Sequence, residues 1–99
     1  MHEKNREYNG YTNYETWNFK LWADNDQPTY QNIQSLVKHT LNDKIKLNKT
    51  EQIYMLSNWL RDYADDKAPE IEASFYSDVM NASIREVDYR QVAEMLLEA

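Results

Sequence analysis

The sequence predicts an all-α protein, a compact bundle of four to five helices in a single domain. Gly occurs once and Pro twice in 99 residues, which favours a few long helices over a fold with many turns. Apolar residues make up 41% of the chain, enough for one modest core at this length, and they recur at the three- and four-residue spacings of a helix. We expect a flexible N-terminal tail at 1–11 and the helical domain at 12–99.

The first helix is expected from Thr12 to about Asn25, because Thr12 and Glu15 match a capping box. Successive residues turn by about 100°, which puts apolar side chains on two faces: Tyr14, Trp17 and Leu21 on one, and Phe19, Trp22 and Ala23 on the other. Between them runs a polar strip of Thr16, Lys20 and Asp24. A helix that is apolar on two sides normally packs on two sides. We therefore expect this helix at the centre of the bundle, with most of its aromatics buried.

The second helix is expected to begin at Asp26-Gln27-Pro28, with Asp26 or Gln27 as the N-cap and Pro28 in the first turn. It is expected to end around 44–46. Its apolar stripe follows helical spacing and comprises Tyr30, Ile33, Val37 and Leu41.

The third helix is expected to start at Thr50 as N-cap. Its inward side has helical spacing and comprises Ile53, Leu56, Leu60 and Tyr63, with Trp59 at the edge. Its far side is acidic and carries two large side chains that we expect at the surface: Glu51, Asp62, Asp65 and Asp66, beside Tyr54 and Met55.

Two shorter helices complete the predicted bundle. The fourth follows Pro69 and packs through Ile71, Phe75, Val79 and Ala82. The fifth has the clearest start signal, since Asp88 and Gln91 match a capping box and Val87 and Val92 a hydrophobic staple. It runs from Tyr89 to about Glu98, and its inward residues are Val92, Met95 and Leu96.

The net charge of −6 is concentrated in the second half of the chain. Residues 1–50 hold seven Lys or Arg against six Asp or Glu, whereas residues 51–99 hold four against eleven, a balance of −7. Such a field repels phosphate backbones and attracts basic surfaces, including the nucleic-acid-binding grooves of other proteins. The alternative is that the acids only keep a small domain in solution.

No motif for catalysis, cofactor binding or metal binding is found, so we expect no catalytic residues and no cofactor. Cysteine is absent, which removes disulfides and thiolate chemistry. His2 and His39 have no partner at the i, i+4 spacing, too few ligands for zinc. A calcium loop starting at Asp24 would need Gly and Glu where Thr29 and Ser35 stand. Without a signal peptide or an apolar segment of spanning length, a cytoplasmic protein without membrane contact is expected.

Two stretches carry a resemblance to a known family. "YNGYTNYETWNFKLWADND" resembles the N-terminal signature of a family of small proteins from phages, plasmids and related mobile elements, largely without assigned function. The matching positions are Thr12, Asn13, Tyr14, Glu15, Trp17, Leu21, Trp22 and Asp26. "SIREVDYRQVAEMLL" is similar to that family's ending, although Tyr89 stands where Trp is common. The resemblance covers about a third of the chain and implies a mobile-element origin and a fold signature, with no known catalytic residues.

From the charge and the resemblance we predict a protein that binds and inhibits, or modulates, a nucleic-acid-handling host or rival protein such as a nuclease or effector. An anti-CRISPR or other anti-defence protein is the specific form of this hypothesis, with direct nucleic-acid binding not expected. Its acids would occupy phosphate-like positions beside two apolar anchors. The predicted partner-binding residues are Tyr54, Met55, Asp62, Asp65, Asp66, Glu70 and Glu72.

Two alternatives remain open. The first is a homodimeric structural or regulatory accessory protein, joined through leftover apolar surface on the first or fifth helix. The second is a weak nucleic-acid-binding module that combines nearby aromatics with a small basic patch, whose lysines are Lys38, Lys44, Lys46 and Lys49.

Overall fold

Five helices follow one another in the computed structural model, which describes residues 7–42, 46–68 and 75–98. They are α1 (Tyr14–Asn25), α2 (Gln27–Thr40), α3 (Lys49–Lys67), α4 (Phe75–Glu86) and α5 (Tyr89–Glu98). No strand occurs in these three ranges apart from an isolated bridge between Tyr8 and Tyr11. The predicted all-α bundle is confirmed.

The core lies mainly between α3 and α5, which pack against each other more extensively than any other pair of helices. Leu56 and Leu60 of α3 and Val92 and Ala93 of α5 are completely buried, and α2 adds Ile33 at 1% exposure. These residues recur at three- and four-residue spacings, so each helix presents one continuous apolar side to the core. The prediction for the inward residues of the third helix is confirmed for Ile53, Leu56 and Leu60. The centre of the bundle is α3 with α5.

The predicted orientation of α1 is wrong for one of its two apolar faces and for Thr16. Thr16 is completely buried and Ala23 is 2% exposed, whereas Tyr14, Leu21 and Trp22 are 48%, 41% and 60% exposed. The helix packs through Thr16 of the predicted polar strip together with Phe19 and Ala23 of one apolar face. Asp24 of the strip is exposed and pairs with Lys20 at the surface. Its large aromatics were expected to be buried, and two of them lie instead at the surface.

The start of α1 is set by Asn13, which corrects the expected cap at Thr12. The Asn13 side chain accepts hydrogen bonds from the Thr16 backbone N–H at 2.9 Å and from the Thr16 hydroxyl at 2.6 Å. Its amide group donates to the carbonyl of Glu86 at 2.7 Å, at the end of α4. Thr12 instead donates its hydroxyl to a carboxylate oxygen of Asp88, at 2.6 Å. The residues in front of α1 therefore connect it to the junction of α4 and α5.

Before α1 the chain makes a tight turn. Tyr8 and Tyr11 exchange two backbone hydrogen bonds of 2.8 Å each, and Asn9 and Gly10 between them have φ angles of 49° and 86°. Asn-Gly is the favoured pair for a turn with positive φ at both central residues. Part of the predicted tail thus has a defined conformation, while residues 1–6 lie outside the described residues.

The limits of α2 agree only in part with the prediction. Asp26 caps the helix through its side chain, as expected, and a proline stands in the first turn. The helix ends at Thr40, several residues before the expected end. Ile33 and Val37 are buried as predicted. The two ends of the stripe are exposed instead, at 42% and 46%: Tyr30 and Leu41.

Asn48 caps α3, two residues before the expected cap at Thr50. Its side chain accepts from the Glu51 backbone N–H at 2.8 Å, and the Glu51 carboxylate accepts from the Asn48 N–H at 2.9 Å. This is a complete capping box. Asn and Thr are both good caps, but only Asn48 has an acidic residue three positions later.

In α4 the predicted inward residues point outward. Phe75 is 73% and Val79 47% exposed, and Ala82 is exposed too. Among the side chains of this helix that the structure describes, the buried one is Ser77, at 7%. α4 packs chiefly on α1, and the side that meets α1 is not the most apolar one. The remaining predicted contact, Ile71, lies outside the described residues.

Candidate functional site

The outer face of α3 carries the described part of the predicted partner-binding residues. Tyr54 is 70% exposed, Met55 is half-buried, and Asp62, Asp65 and Asp66 are exposed. All of them lie on the outer side of α3, and the three acids follow Tyr54 and Met55 by roughly two to three helical turns. Glu70 and Glu72 fall outside the described residues.

These three α3 carboxylates make no ion pair within the described part of the chain. The ion pairs there join Lys20 to Asp24, Lys49 to Glu98 and Arg90 to Glu94, at 2.7, 3.9 and 3.5 Å. Among the described residues, therefore, no direct partner compensates the negative charge on the face of α3. An exposed and uncompensated charge attracts cations from solution.

Two of the three α3 acids line a groove. Asp62 and Asp66 lie on the wall of an open groove between α2 and α3, with a volume of about 660 Å³. Trp59 and Tyr63 of α3 line the same groove. The opposite wall belongs to α2 and consists of Asn32, Leu36 and His39. Carboxylates and aromatic rings thus occupy one concave surface, which we call the α2–α3 groove.

The rings in the α2–α3 groove are held by contacts across it. The His39 ring lies 5.0 Å from the Trp59 ring, centroid to centroid, with an angle of 47° between the planes. At the other end, the Asn32 side chain donates to the Tyr63 hydroxyl at 3.4 Å. Lys67 completes the lining, with its Nζ 5.9 Å from the centroid of the Tyr63 ring. The groove thus brings together two acids, three rings and one cation.

Asp65 is exposed on the outer face of α3, and its charge reaches Tyr89 of α5. There the Arg61 guanidinium lies 5.5 Å from the centroid of the Tyr89 ring, and the Tyr89 hydroxyl donates to the Ile84 carbonyl at 2.8 Å. Burial raises the pKa of Tyr89 to about 12, the charge of Asp65 adds to the rise, and Arg61 opposes it. The Asp65 charge therefore acts on α5, whereas Asp62 and Asp66 act on the groove.

Sequence reasoning missed three groove residues: Trp59, Tyr63 and His39. The sequence pattern places Trp59 and Tyr63 at the core side of α3 or its edge, and His39 has no histidine partner at helical spacing. The available signal was the alternation of aromatic and acidic residues along 59–66. Which residues of α2 would face them depends on the packing of two helices, which the sequence pattern does not give.

The basic patch considered for nucleic acid is spread over separate parts of the chain. Lys38 lies exposed on α2, and Lys46 and Lys49 lie exposed around the start of α3. Lys49 is within 3.9 Å of the Glu98 carboxylate, which offsets part of its charge. Lys44 lies outside the described residues. Nucleic-acid binding through these lysines stays a prediction, which a low-salt gel shift would test.

Two further properties concern the chain as far as the structure describes it. Within 7–42, 46–68 and 75–98, no group of three or more His, Asp or Glu is arranged to hold a metal ion. None of the five helices found there is both long enough and apolar enough to cross a membrane.

Comparison with known proteins gives one match. A family model described as a family of unknown function, DUF7249, matches residues 4–99. No curated protein and no solved structure matches the chain.

Proposed function

We propose that this chain, which belongs to the DUF7249 family of unknown function, acts by binding another protein. In this proposal it is a phage or mobile-element protein. The partner is a nucleic-acid-handling protein of the host or of a rival element, such as a nuclease or an effector. The chain inhibits or modulates it in the host cytoplasm without chemistry of its own, and an anti-CRISPR or other anti-defence role is the most specific form of the proposal.

The observation that carries the proposal is the exposed and unpaired charge on the outer face of α3. Asp62, Asp65 and Asp66 are exposed and make no ion pair with a described residue. Side chains three and four residues apart on a helix lie about 5–6 Å from each other. Carboxylates at that spacing present a row of negative charge to a surface built to hold phosphates.

The surroundings of this row fit a protein partner. Tyr54 offers a large ring at 70% exposure at the other end of the same helix. Tyrosines are enriched among the residues that dominate binding energy at interfaces. The −7 balance of the second half would steer a basic partner toward this side and raise the rate of association. Binding at the partner's nucleic-acid groove would exclude DNA or RNA by occupying the same charges.

The test compares two charge-reversal variants that change the net charge equally. The first is Asp62→Lys/Asp65→Lys/Asp66→Lys on α3. The matched control reverses three exposed acids elsewhere: Glu7→Lys, Asp78→Lys and Glu86→Lys. Each immobilised protein is incubated with a nuclease-treated lysate of host cells, washed, and then eluted with an excess of duplex DNA.

We expect the wild type and the control to retain a nucleic-acid-binding protein that the added DNA releases. The α3 variant should lose that protein, because its surface now repels a basic groove. Retention of the same protein by the α3 variant, or its failure to be released by DNA, would overturn the proposal.

A second candidate, a homodimer through α1, has one observation in its favour. Tyr14, Leu21 and Trp22 expose apolar surface on one helix, and contiguous apolar surface of this kind often marks an interface. The fifth helix offers no comparable surface, since its apolar residues are buried or half-buried. Sedimentation at micromolar concentration tests the idea. A dimer that Leu21→Glu/Trp22→Glu converts to a monomer would support it, and a monomeric wild type would reject it.

A further inference from the structure

The α2–α3 groove has the chemistry of a cation-binding site. Asp62 and Asp66 lie four residues apart on α3, and both line the groove. Like charges at this spacing on a helix repel each other, and neither carboxylate is paired with a described cation. A cation placed between the two would relieve that repulsion and compensate both charges.

The aromatic wall of the groove offers a second contact to the same cation. Trp59 lies within one turn of Asp62, Tyr63 lies within one turn of both acids, and both rings line the groove with them. The Tyr63 ring already has the Lys67 ammonium at 5.9 Å from its centroid, within the range of a cation–π contact. This internal contact shows that the ring presents a face to positive charge on the groove side.

We propose that the α2–α3 groove binds an arginine side chain of the partner protein. Its guanidinium lies against the Trp59 and Tyr63 rings and donates hydrogen bonds to the Asp62 and Asp66 carboxylates. The inference rests on the proposed function and names the group by which a basic partner is recognised.

Arginine fits the groove better than lysine. A guanidinium is planar and carries five N–H donors, so it can stack on a ring and reach two carboxylates at once, whereas an ammonium is a compact point charge. The volume of about 660 Å³ lies within the roughly 300–1,000 Å³ of ordinary ligand pockets. That space admits the whole side chain together with the backbone that carries it.

The test uses a defined peptide in place of the partner. An acetylated, amidated pentapeptide with one central arginine is titrated into the ¹⁵N-labelled protein and followed by NMR. The same peptide with citrulline keeps the shape of the side chain and removes its charge. The readout is the indole N–H signal of Trp59, assigned with a Trp59→Phe variant and compared with the signals of Trp17 and Trp22.

We expect a saturable shift of the Trp59 signal with the arginine peptide and none with the citrulline peptide. Asp62→Asn/Asp66→Asn should raise the Kd at least about tenfold, because charge-assisted hydrogen bonds are lost. Asp78→Asn/Glu86→Gln removes two exposed acids from α4, outside the lining of the groove, so it should change the Kd by less than about twofold. Lys67→Gln removes the competing cation and should lower the Kd.

Three results would overturn the inference. They are equal binding of the citrulline peptide, an equal loss of affinity in Asp78→Asn/Glu86→Gln, and shifts at Trp17 or Trp22 without one at Trp59. The lysate experiment separates this inference from the proposed function. If the α3 triple variant loses the partner in the lysate experiment but the arginine peptide does not shift the Trp59 signal, the arginine site is rejected and the proposed function stands. If the arginine peptide binds specifically but no partner is released by DNA in the lysate experiment, the arginine site stands and the proposed function is rejected.

Discussion

The backbone N–H of Asp88 donates a hydrogen bond of 2.8 Å to the hydroxyl of Thr16, and this bond links α1 to the start of α5 across 72 positions of sequence. Thr16 is completely buried, and its hydroxyl also donates to the Asn13 side chain at 2.6 Å. No buried side-chain polar atom in the described residues lacks a partner. Thr16, which a helical projection places on the outside, is therefore buried and connects the first helix to the start of the last.

Replacing Thr16 with valine keeps the shape of the side chain and removes the hydroxyl. The Asp88 N–H then loses its acceptor, and leaving a partly buried N–H unpaired costs about 1–3 kcal/mol. We expect the free energy of unfolding to fall by that amount in urea denaturation. Hydrogen exchange at the Asp88 amide should become faster.

Thr16→Ser is the matched control, since it keeps the hydroxyl and removes only a methyl group, at about 1 kcal/mol. Its Asp88 amide should stay protected. A valine variant as stable as the wild type, with an equally protected Asp88 amide, would show that the bond contributes nothing.

Gln91 connects the N-terminal segment to α5. Its carboxamide oxygen accepts from the Thr12 backbone N–H at 2.9 Å, and its nitrogen donates to the Gly10 carbonyl at 3.3 Å. Gln91→Ala removes both contacts, and we expect a loss of about 1 kcal/mol together with faster exchange at the Thr12 amide. Gln91→Glu keeps the acceptor for Thr12 and should retain that protection. Equal exchange in the alanine variant and the wild type would contradict the assignment.

The cap of α3 distinguishes two nearby candidates. Asn48 makes a reciprocal capping box with Glu51, whereas Thr50 lies inside the first turn. Asn48→Ala should lower stability by about 1 kcal/mol, the usual cost of losing an N-cap. Thr50→Ala should cost less than about 0.5 kcal/mol, as exposed substitutions do. Urea denaturation measures the loss of stability in each variant. A larger loss for Thr50→Ala than for Asn48→Ala would show that Thr50 is the cap.

The sequence predicts the existence of the helices well because the signals are local. Asp26 caps α2 with a proline behind it, and Asp88 accepts from the Gln91 backbone N–H at 3.1 Å at the start of α5. Such caps involve side chains within three residues of each other. The errors at Thr12 and Thr50 arise because a second good capping residue stands one or two positions away, and short polar runs do not decide between them.

The orientation of a helix is harder to predict because it depends on distant residues. Burying Thr16 is acceptable only since Asp88 supplies a donor, and Asn13 is tolerated at 6% exposure because Glu86 supplies a carbonyl. An apolar projection counts such residues as surface, so it misplaces the Thr16 side of α1. The groove has the same origin. Its acids are visible on α3, but the meeting of His39 with Trp59 requires the packing of α2.

Ionisation of Tyr89 lowers the free energy of unfolding as the pH becomes alkaline. The residue is 4% exposed, and its burial, with the nearby charge of Asp65, raises the pKa of the hydroxyl from 10.0 to about 12. Between these two values the unfolded chain loses the proton while the folded chain keeps it. The contribution of the protonated Tyr89 to the free energy of unfolding is therefore complete below pH 10 and is lost as the pH rises through 12.

Comparison with Tyr89→Phe isolates this effect, because the other tyrosines and the lysines titrate alike in both proteins. At pH 8 the wild type should be more stable by about 1 kcal/mol, from the hydrogen bond to the Ile84 carbonyl. At pH 11 it should have lost about 1.4 kcal/mol relative to the variant, the equivalent of a tenfold change in the unfolding equilibrium. Urea denaturation at the two pH values measures both differences. A constant difference between the proteins from pH 8 to pH 11 would mean that Tyr89 titrates in the folded protein as it does in the unfolded chain.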